Sequence, residues 1–384
     1  MKSGSNEMTD IDRPAGPSST PGRNDAPSRH LINAFLISGL VLITVVLLVW
    51  GSNVLIPLAV ALLIWRFINA LADVYQRLWS RWLGPMRGLA LLLALLTIFA
   101  ASLLALDVVV SNVSAISASS REFQKSIDIL LERASNLTGI ERDRIIDETF
   151  GQLRLGQLLG AMVSAMTSLA SQFSVVFVYV IFLLVEQKFF NIKLNAIVRD
   201  ENRRARIRSL LDRVSQDVNS YVWIMTLVSL LTAALSYAVM IAVGVNHAAF
   251  WAFLVFILNF IPTVGTILAT LLVSLYGLLQ LGDFKSFLIL LTAVGLIQFF
   301  VGNVLQPRMS AKTLNLSQFV VILSLFIWGA LWGVVGMFLA VPITAILMIV
   351  LANFPSTRVV AAILSETGEL RSAGDAAKAD TPAP

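Results

Sequence analysis

SQFVVILSLFIWGALWGVVGMFLAVPITAILMIVLANF, running from Ser317 to Phe354, is the stretch on which the reading of this chain turns. As one helix it would extend about 55 Å at ~1.5 Å per residue, against a hydrocarbon core of about 30 Å. The segment must therefore fold back on itself. Gly329, Gly333 and Gly336 relax backbone sterics in its middle, and Pro342 removes a donor from its second arm, so the turn is expected between Gly329 and Gly336. Broken backbone at bilayer depth survives only where protein buries it or water reaches it. The break is thus the expected seat of function.

A second apolar run, His247 to Leu281, is also too long for one span, at roughly 50 Å if helical. Asn259-Phe260-Ile261-Pro262-Thr263-Val264-Gly265 interrupts it. Read as a single span, it would leave the following run, Phe287 to Val304, ending outside, with Arg308 and Lys312 on the wrong face. Read as a hairpin, it returns those basic residues to the cytoplasm, in keeping with the positive-inside rule.

Composition agrees. Hydrophobic residues make up 57% of 384 and charged ones 13%, far more apolar surface than a soluble domain of this length could bury. The expected fold class is an all-α polytopic membrane protein with about six full spans, two broken or re-entrant hairpins and a small extracytoplasmic helical segment. With no cysteine and two histidines, His30 and His247, disulfides, thiolate chemistry and a histidine metal cluster are excluded. The net charge of +5 comes from juxtamembrane basic residues without the aromatic interleaving of a nucleic-acid platform, so no nucleic-acid partner is expected.

The organisation follows from charge and periodicity. Residues 1–30 read as a disordered cytoplasmic tail and 31–110 as spans one to three. Residues 111–157 read as an extracytoplasmic amphipathic segment, with Phe123, Ile127, Leu130, Leu131 and Ala134 at helical spacing. Residues 158–243 hold spans four and five, joined by a basic cytoplasmic helix over 188–220. Residues 244–355 form the expected transport core, hairpins 247–281 and 317–354 flanking one span, and 356–384 a second disordered cytoplasmic tail. Opposed interrupted elements are a common construction of secondary-transporter sites, although each hairpin can also be read as a pair of short ordinary spans packed through glycines.

The candidate binding residues lie at the breaks. Pro262 and Gly265 free backbone groups, Asn259 adds an amide, and Thr263 or Thr266 could cap a half-helix whose dipole faces a ligand. The alternative is that these side chains only satisfy the freed backbone. Before the second hairpin, Asn303, Gln306, Pro307 and Arg308 put two amides and a cation at a helix end, Arg308 serving equally well as an interface anchor. Gly329 and Gly333, spaced for close helix approach, read as packing, with Gly336 and Pro342 completing the hinge. No phosphate loop, HExxH or nucleophile elbow is present, so neither an enzyme nor an ATP-driven pump is expected, and no cofactor is called for.

The runs FILNFIPTVGTILATLL (Phe256 to Leu272), GNVLQPRMSAKTLN and its continuation (Gly302 to Leu351), and LIPLAVALLIW (Leu55 to Trp65) resemble the AI-2E family of bacterial inner-membrane proteins across about residues 31–355. Carried over by this resemblance, the family's NFIPxxG-like element falls on Asn259, Pro262 and Gly265, its QP element on Gln306 and Pro307, and its GxxGxxLAVP element on Gly333, Gly336 and Pro342. Thr266 stands where many relatives have proline. The resemblance implies secondary transport in the inner membrane, with both termini cytoplasmic, of a small polar metabolite or signalling molecule such as autoinducer-2. It equally admits a sodium/proton antiporter, and it implies a homo-oligomer. A non-transporting membrane scaffold or sensor is the reading from another class.

Overall fold

The computed structural model describes residues 26–79, 86–118, 132, 135, 172–310 and 315–368. The chain forms two bodies. One ends at Trp50 and holds α1 (Ala26–Trp50), whose Phe35, Leu36, Leu40 and Leu47 are exposed. The other begins at Gly51 and holds α2 (Ser52–Trp79), α3 (Arg87–Ala118), α4 (Gln172–Glu186), α5 (Phe190–Ile197), α6 (Glu201–Val243), α7 (Ala248–Leu258), α8 (Val264–Leu281), α9 (Phe284–Phe300), α10 (Gln306–Ser310), α11 (Gln318–Ala352) and α12 (Arg358–Leu364). A π-helical stretch, Val301–Leu305, joins α9 to α10. No strand occurs among the described residues, and six of their helices are long and apolar enough to cross a membrane, or seven if the bent pair α4–α5 counts as one span. The chain is an all-α polytopic membrane protein.

Most of the expected extracytoplasmic segment, like the start of the fourth span, lies outside the described residues, but α3 continues unbroken through Ala118. The first residues assigned to that segment therefore extend the third span. Small side chains let α2, α3 and α4 approach: Ala61, Ala72, Ala90 and Ala94 pack with Ile68, Val176 and Val180. Trp65 Nε1 donates to Gln187 Oε1 at 2.9 Å.

The basic segment expected as one helix over 188–220 is instead two. α5 ends at Ile197, Asp200 accepts from the backbone N–H of Asn202 to start a new helix, and Arg204 donates from Nε and Nη2 to the Val198 carbonyl at 3.2 and 3.0 Å. Each end thus gains a side-chain partner for one of its orphaned backbone groups. From Glu201, α6 runs 43 residues without a break, about 64 Å, passing from its basic half into its apolar half.

Both over-length segments turn back. α7 and α8 are antiparallel arms: the Trp251 and Tyr276 rings pack at a tilt with centroids 4.6 Å apart, and at the open end Gln280 accepts from the Asn246 N–H and donates to the Gly244 carbonyl. In α11 the chain reverses at Gly333 (φ 63°, ψ −144°). A Cβ on Gly336 would stand 1.9 Å from the Trp328 carbonyl oxygen, whereas eight residues of straight helix would separate these groups by about 12 Å. Trp328 Nε1 donates to Thr344 Oγ1 at 3.2 Å, and Val320 packs with Ala345 and Met348, so the arms stay together along their length.

The hairpins are opposed along α6. The base of the first adjoins Gly244, at the C-terminal end of α6, while the far part of the second packs with Tyr221, about 35 Å earlier along that helix at ~1.5 Å per residue. Their tips meet between: Phe260 packs on Phe338 with ring centroids 5.0 Å apart.

One expected tail begins later than 356. α12 covers 358–364 with Ala361 fully buried, Ser317 N donates to the Leu364 carbonyl, and Glu366 N donates to that of Asn315. Its Val360, Ala361 and Leu364 follow helical spacing, short enough to be overlooked between Arg358 and a polar end.

Candidate functional site

The first break is a strained turn. After Leu258 the chain leaves helix, Ile261 N donates to the Leu258 carbonyl, and Val264 N donates to Pro262 O at 2.6 Å across Thr263 (φ 63°, ψ −58°). This is a γ-turn of the rare positive-φ kind, costing a β-branched residue of order 1–3 kcal/mol. Neither threonine caps α8 as expected. Thr263 makes no side-chain cap bond, and the Thr266 hydroxyl donates backward to the Thr263 carbonyl at 2.9 Å. Gly265 serves close approach, since a Cβ there would fall 1.7 Å from the Leu258 oxygen.

Asn259, 6% exposed, points into protein: its Nδ2 donates to Ser229 Oγ on α6 at 2.9 Å. Ser229, Thr232 and Ser236, all fully buried, recur along one face of α6, small enough for α7 to pack close and polar enough to receive its amide.

Past α9 the helix widens. Gln306 N donates to Val301 O, five residues back, because in a regular turn the Pro307 ring would clash with the Asn303 carbonyl and leave it unpaired. The wider turn relieves both problems, and such π-turns occur often at functional sites. Gln306 Nε2 lies 3.5 Å from Met225 Sδ of α6, while Pro307 and Arg308 are exposed.

Between α8 and α9 lies an open groove of about 380 Å³ lined by Thr266, Thr270, Gln298 and Asn303 among Ile267, Leu271, Leu291, Gly295 and Phe299. α8 and α9 are tightest where Gly277 admits Leu290, and Gly295 of α9 still lies within contact reach of Thr270. The Thr270 hydroxyl donates to Thr266 O and the Asn303 Nδ2 to Phe299 O, so the oxygens of Thr266, Thr270 and Asn303 retain lone pairs. Gln298 is 7% exposed, and its Nε2 is sealed from solvent with no hydrogen-bond partner. An unpaired amide donor in such surroundings costs about 1–3 kcal/mol, and a turn of the side chain that brought Nε2 into the groove would let a bound acceptor remove that cost.

Of the expected binding residues, then, Thr266 and Asn303 line one groove. Asn259, Pro262, Thr263 and Gly265 shape the turn beside it, Gln306 leans on α6, and Pro307 and Arg308 face outward. Gly329 packs on Met337, Gly333 makes the turn, Gly336 makes the close approach, and Pro342 is buried in the second arm. Sequence reasoning missed Thr270, Gln298 and Ser229. Each is a polar residue inside an apolar run, and Thr270 repeats Thr266 four residues on.

The AI-2E family transporter model matches residues 36–356. The chain belongs to the AI-2E family. This AI-2E family member is 29% identical to the AI-2 transport protein TqsA of Escherichia coli, over 83% of this chain and 91% of that one. It is 32% identical to a Haemophilus influenzae protein named as a candidate transport protein, over 67% and 78%, and 33% identical to the similarly named YhhT of Escherichia coli, over 52% and 53%. It is a membrane transport protein of that family.

Proposed function

We propose that this chain is a secondary transporter of a small, uncharged, hydroxyl-bearing metabolite, an exporter of a signalling molecule such as autoinducer-2, and that the groove between α8 and α9 receives it. The observation that carries this is the lining: four polar side chains, three with spare acceptor oxygens and one with an unspent amide donor, and no charged side chain. A neutral solute satisfies both kinds of group, and Ile267, Leu271 and Phe299 take its C–H face. A cation would leave the Gln298 donor misdirected, and the groove holds no carboxylate to exchange a proton.

The opposed hairpins are read as re-entrant in the bilayer. α7, with 11 residues, reaches about 16 Å, against a core of about 30 Å. On this reading, motion of the hairpins, whose tips meet at Phe260 and Phe338, against α2–α4 alternates access to the groove. The same reading has the protein in the bacterial inner membrane with both termini cytoplasmic, as a homo-oligomer.

The test is solute flux in proteoliposomes. Gln298→Leu and Thr270→Val should each lower flux at least tenfold with folding intact, and autoinducer-2 should be carried without a cation gradient. A sodium pulse that collapses a pH-dye signal while no neutral solute moves would replace this reading with cation/proton antiport.

A further inference from the structure

The α4–α5 elbow carries an apolar face that the protein leaves uncovered. α5 departs from the line of α4 by 62°. None of its residues is buried: Phe189 and Phe190 are 48% and 47% exposed, Ile192 64% and Ile197 80%. On a helical projection at about 100° per residue, Phe189, Phe190, Ile192, Leu194 and Ile197 share one broad face, with Lys193 at its centre and Asn191 and Asn195 opposite. On the Asn side, which is itself exposed, Asn195 Oδ1 accepts from Arg208 Nη2 of α6 at 2.9 Å. Arg204 holds the next turn by its double bond to Val198 O. The contacts that fix α5 thus turn its apolar face away from α6.

Exposed basic residues precede and follow that face along the chain, with the exposed acids Asp200 and Glu201 among them. Lys188, Arg199, Arg203 and Arg206 are exposed, and none of the four makes an ion pair among the described residues. Lys193 pairs with Glu186 at the end of α4. A short helix with an aromatic-aliphatic face and a basic rim, bent away from the end of an apolar span, has the make-up of an element lying in the plane of the membrane interface. The stems of Lys193 and of Lys188 just before it can reach upward to the headgroups.

We infer that α5 is an interfacial anchor, and that Lys188, Lys193, Arg199, Arg203 and Arg206 form a site for anionic phospholipid headgroups of the same bilayer. The choice of occupant rests on charge complementarity and continuity: the apolar phase adjoining α4 is the bilayer, and a leaflet rich in anionic lipid supplies the opposite charge to the rim. Because Arg204 and Arg208 join α5 to α6, the lipid would hold the long helix that the first hairpin packs on.

The chain has no cysteine, so single labels can be placed on the full-length protein. In vesicles containing phosphatidylglycerol, spin labels at Ile192→Cys and Ile197→Cys should be more accessible to oxygen than to an aqueous nickel reagent, with Asn191→Cys showing the reverse. Lys188→Gln, Arg199→Gln, Arg203→Gln and Arg206→Gln should each weaken retention of phosphatidylglycerol on the purified protein about fivefold at low salt. The label measurement needs none of these charge changes, so a poorly folding variant does not blunt it. Ile192 and Ile197 labels left in water in pure lipid vesicles would overturn the inference and point to a protein partner. Equal burial in phosphatidylcholine, together with retention indifferent to the four substitutions, would overturn the anionic site.

Discussion

The two hairpins solve one geometric problem with different chemistry. The first reverses over Asn259 to Thr263, using a proline, a strained threonine and a buried amide bond to α6. The second reverses at one residue, Gly333, whose φ of 63° is open to glycine and costly to anything else. Both then close through a glycine two or three residues further on, Gly265 against Leu258 and Gly336 against Trp328. The difference teaches where each is vulnerable: the first stores strain and offsets it with tertiary contacts, while the second avoids strain by composition and has one point of failure.

The largest effect is expected where the two agree. Gly265→Ala and Gly336→Ala would each drive a Cβ to within 2 Å of a backbone oxygen, and each should cost about 3 kcal/mol or more, read as a lowered midpoint of thermal unfolding in detergent. If only one does, the shared closing contact is not what keeps both hairpins shut.

The sharpest separation comes at the turns themselves. Gly333→Ala has open space for its methyl group but keeps a positive φ, and should cost about 2 kcal/mol. Thr263→Gly should be neutral or stabilise by up to ~1 kcal/mol, relief of strain being partly offset by glycine's chain entropy. The same sign at both positions would break the contrast.

Asn259→Ala should destabilise by about 1 kcal/mol, the range of a single buried hydrogen bond between membrane helices. Ser229→Ala should match it, and the double substitution should add little, which a double-mutant cycle on unfolding midpoints would check.

The smallest effect belongs to the loop joining the first hairpin to α9. Asp283 accepts from Lys285 N, Ser286 N and Ser286 Oγ. The Lys285 backbone bond, with those from Ser286, holds its carboxyl below the usual aspartate range. A folded-state value below the unfolded one means the cap stabilises above the unfolded value and is lost as pH falls through the folded one. Asp283→Ala should therefore lower the midpoint slightly at neutral pH and not at all in strong acid, as a pH series of melts would show.

Much of this was legible in the chain. The length of Ser317 to Phe354 against the bilayer required a reversal, and the glycines bracketed it to within a few residues. Pro262 likewise marked the first break. The site was less legible. Thr266 and Asn303 were picked out as broken-helix residues, but Gln298 sits in LIQFF, an otherwise ordinary apolar run, and nothing local says that it shares a groove with Thr270. The split of the basic segment was hidden similarly, because Arg204 folds back on a carbonyl six residues earlier.

Sequence by itself determined that this is a helical membrane protein, which segments are too long for one span, and where their backbone breaks, because hydropathy and helix rise accumulate locally along the chain. Only the tertiary structure decided that α6 is the helix along which the opposed hairpins pack, that Asn259 faces Ser229, and that four polar side chains line a single groove. In lipid there is little hydrophobic force between helices, so their rotation and register are set by small-residue contacts between distant positions, and those exist only once the helices have packed.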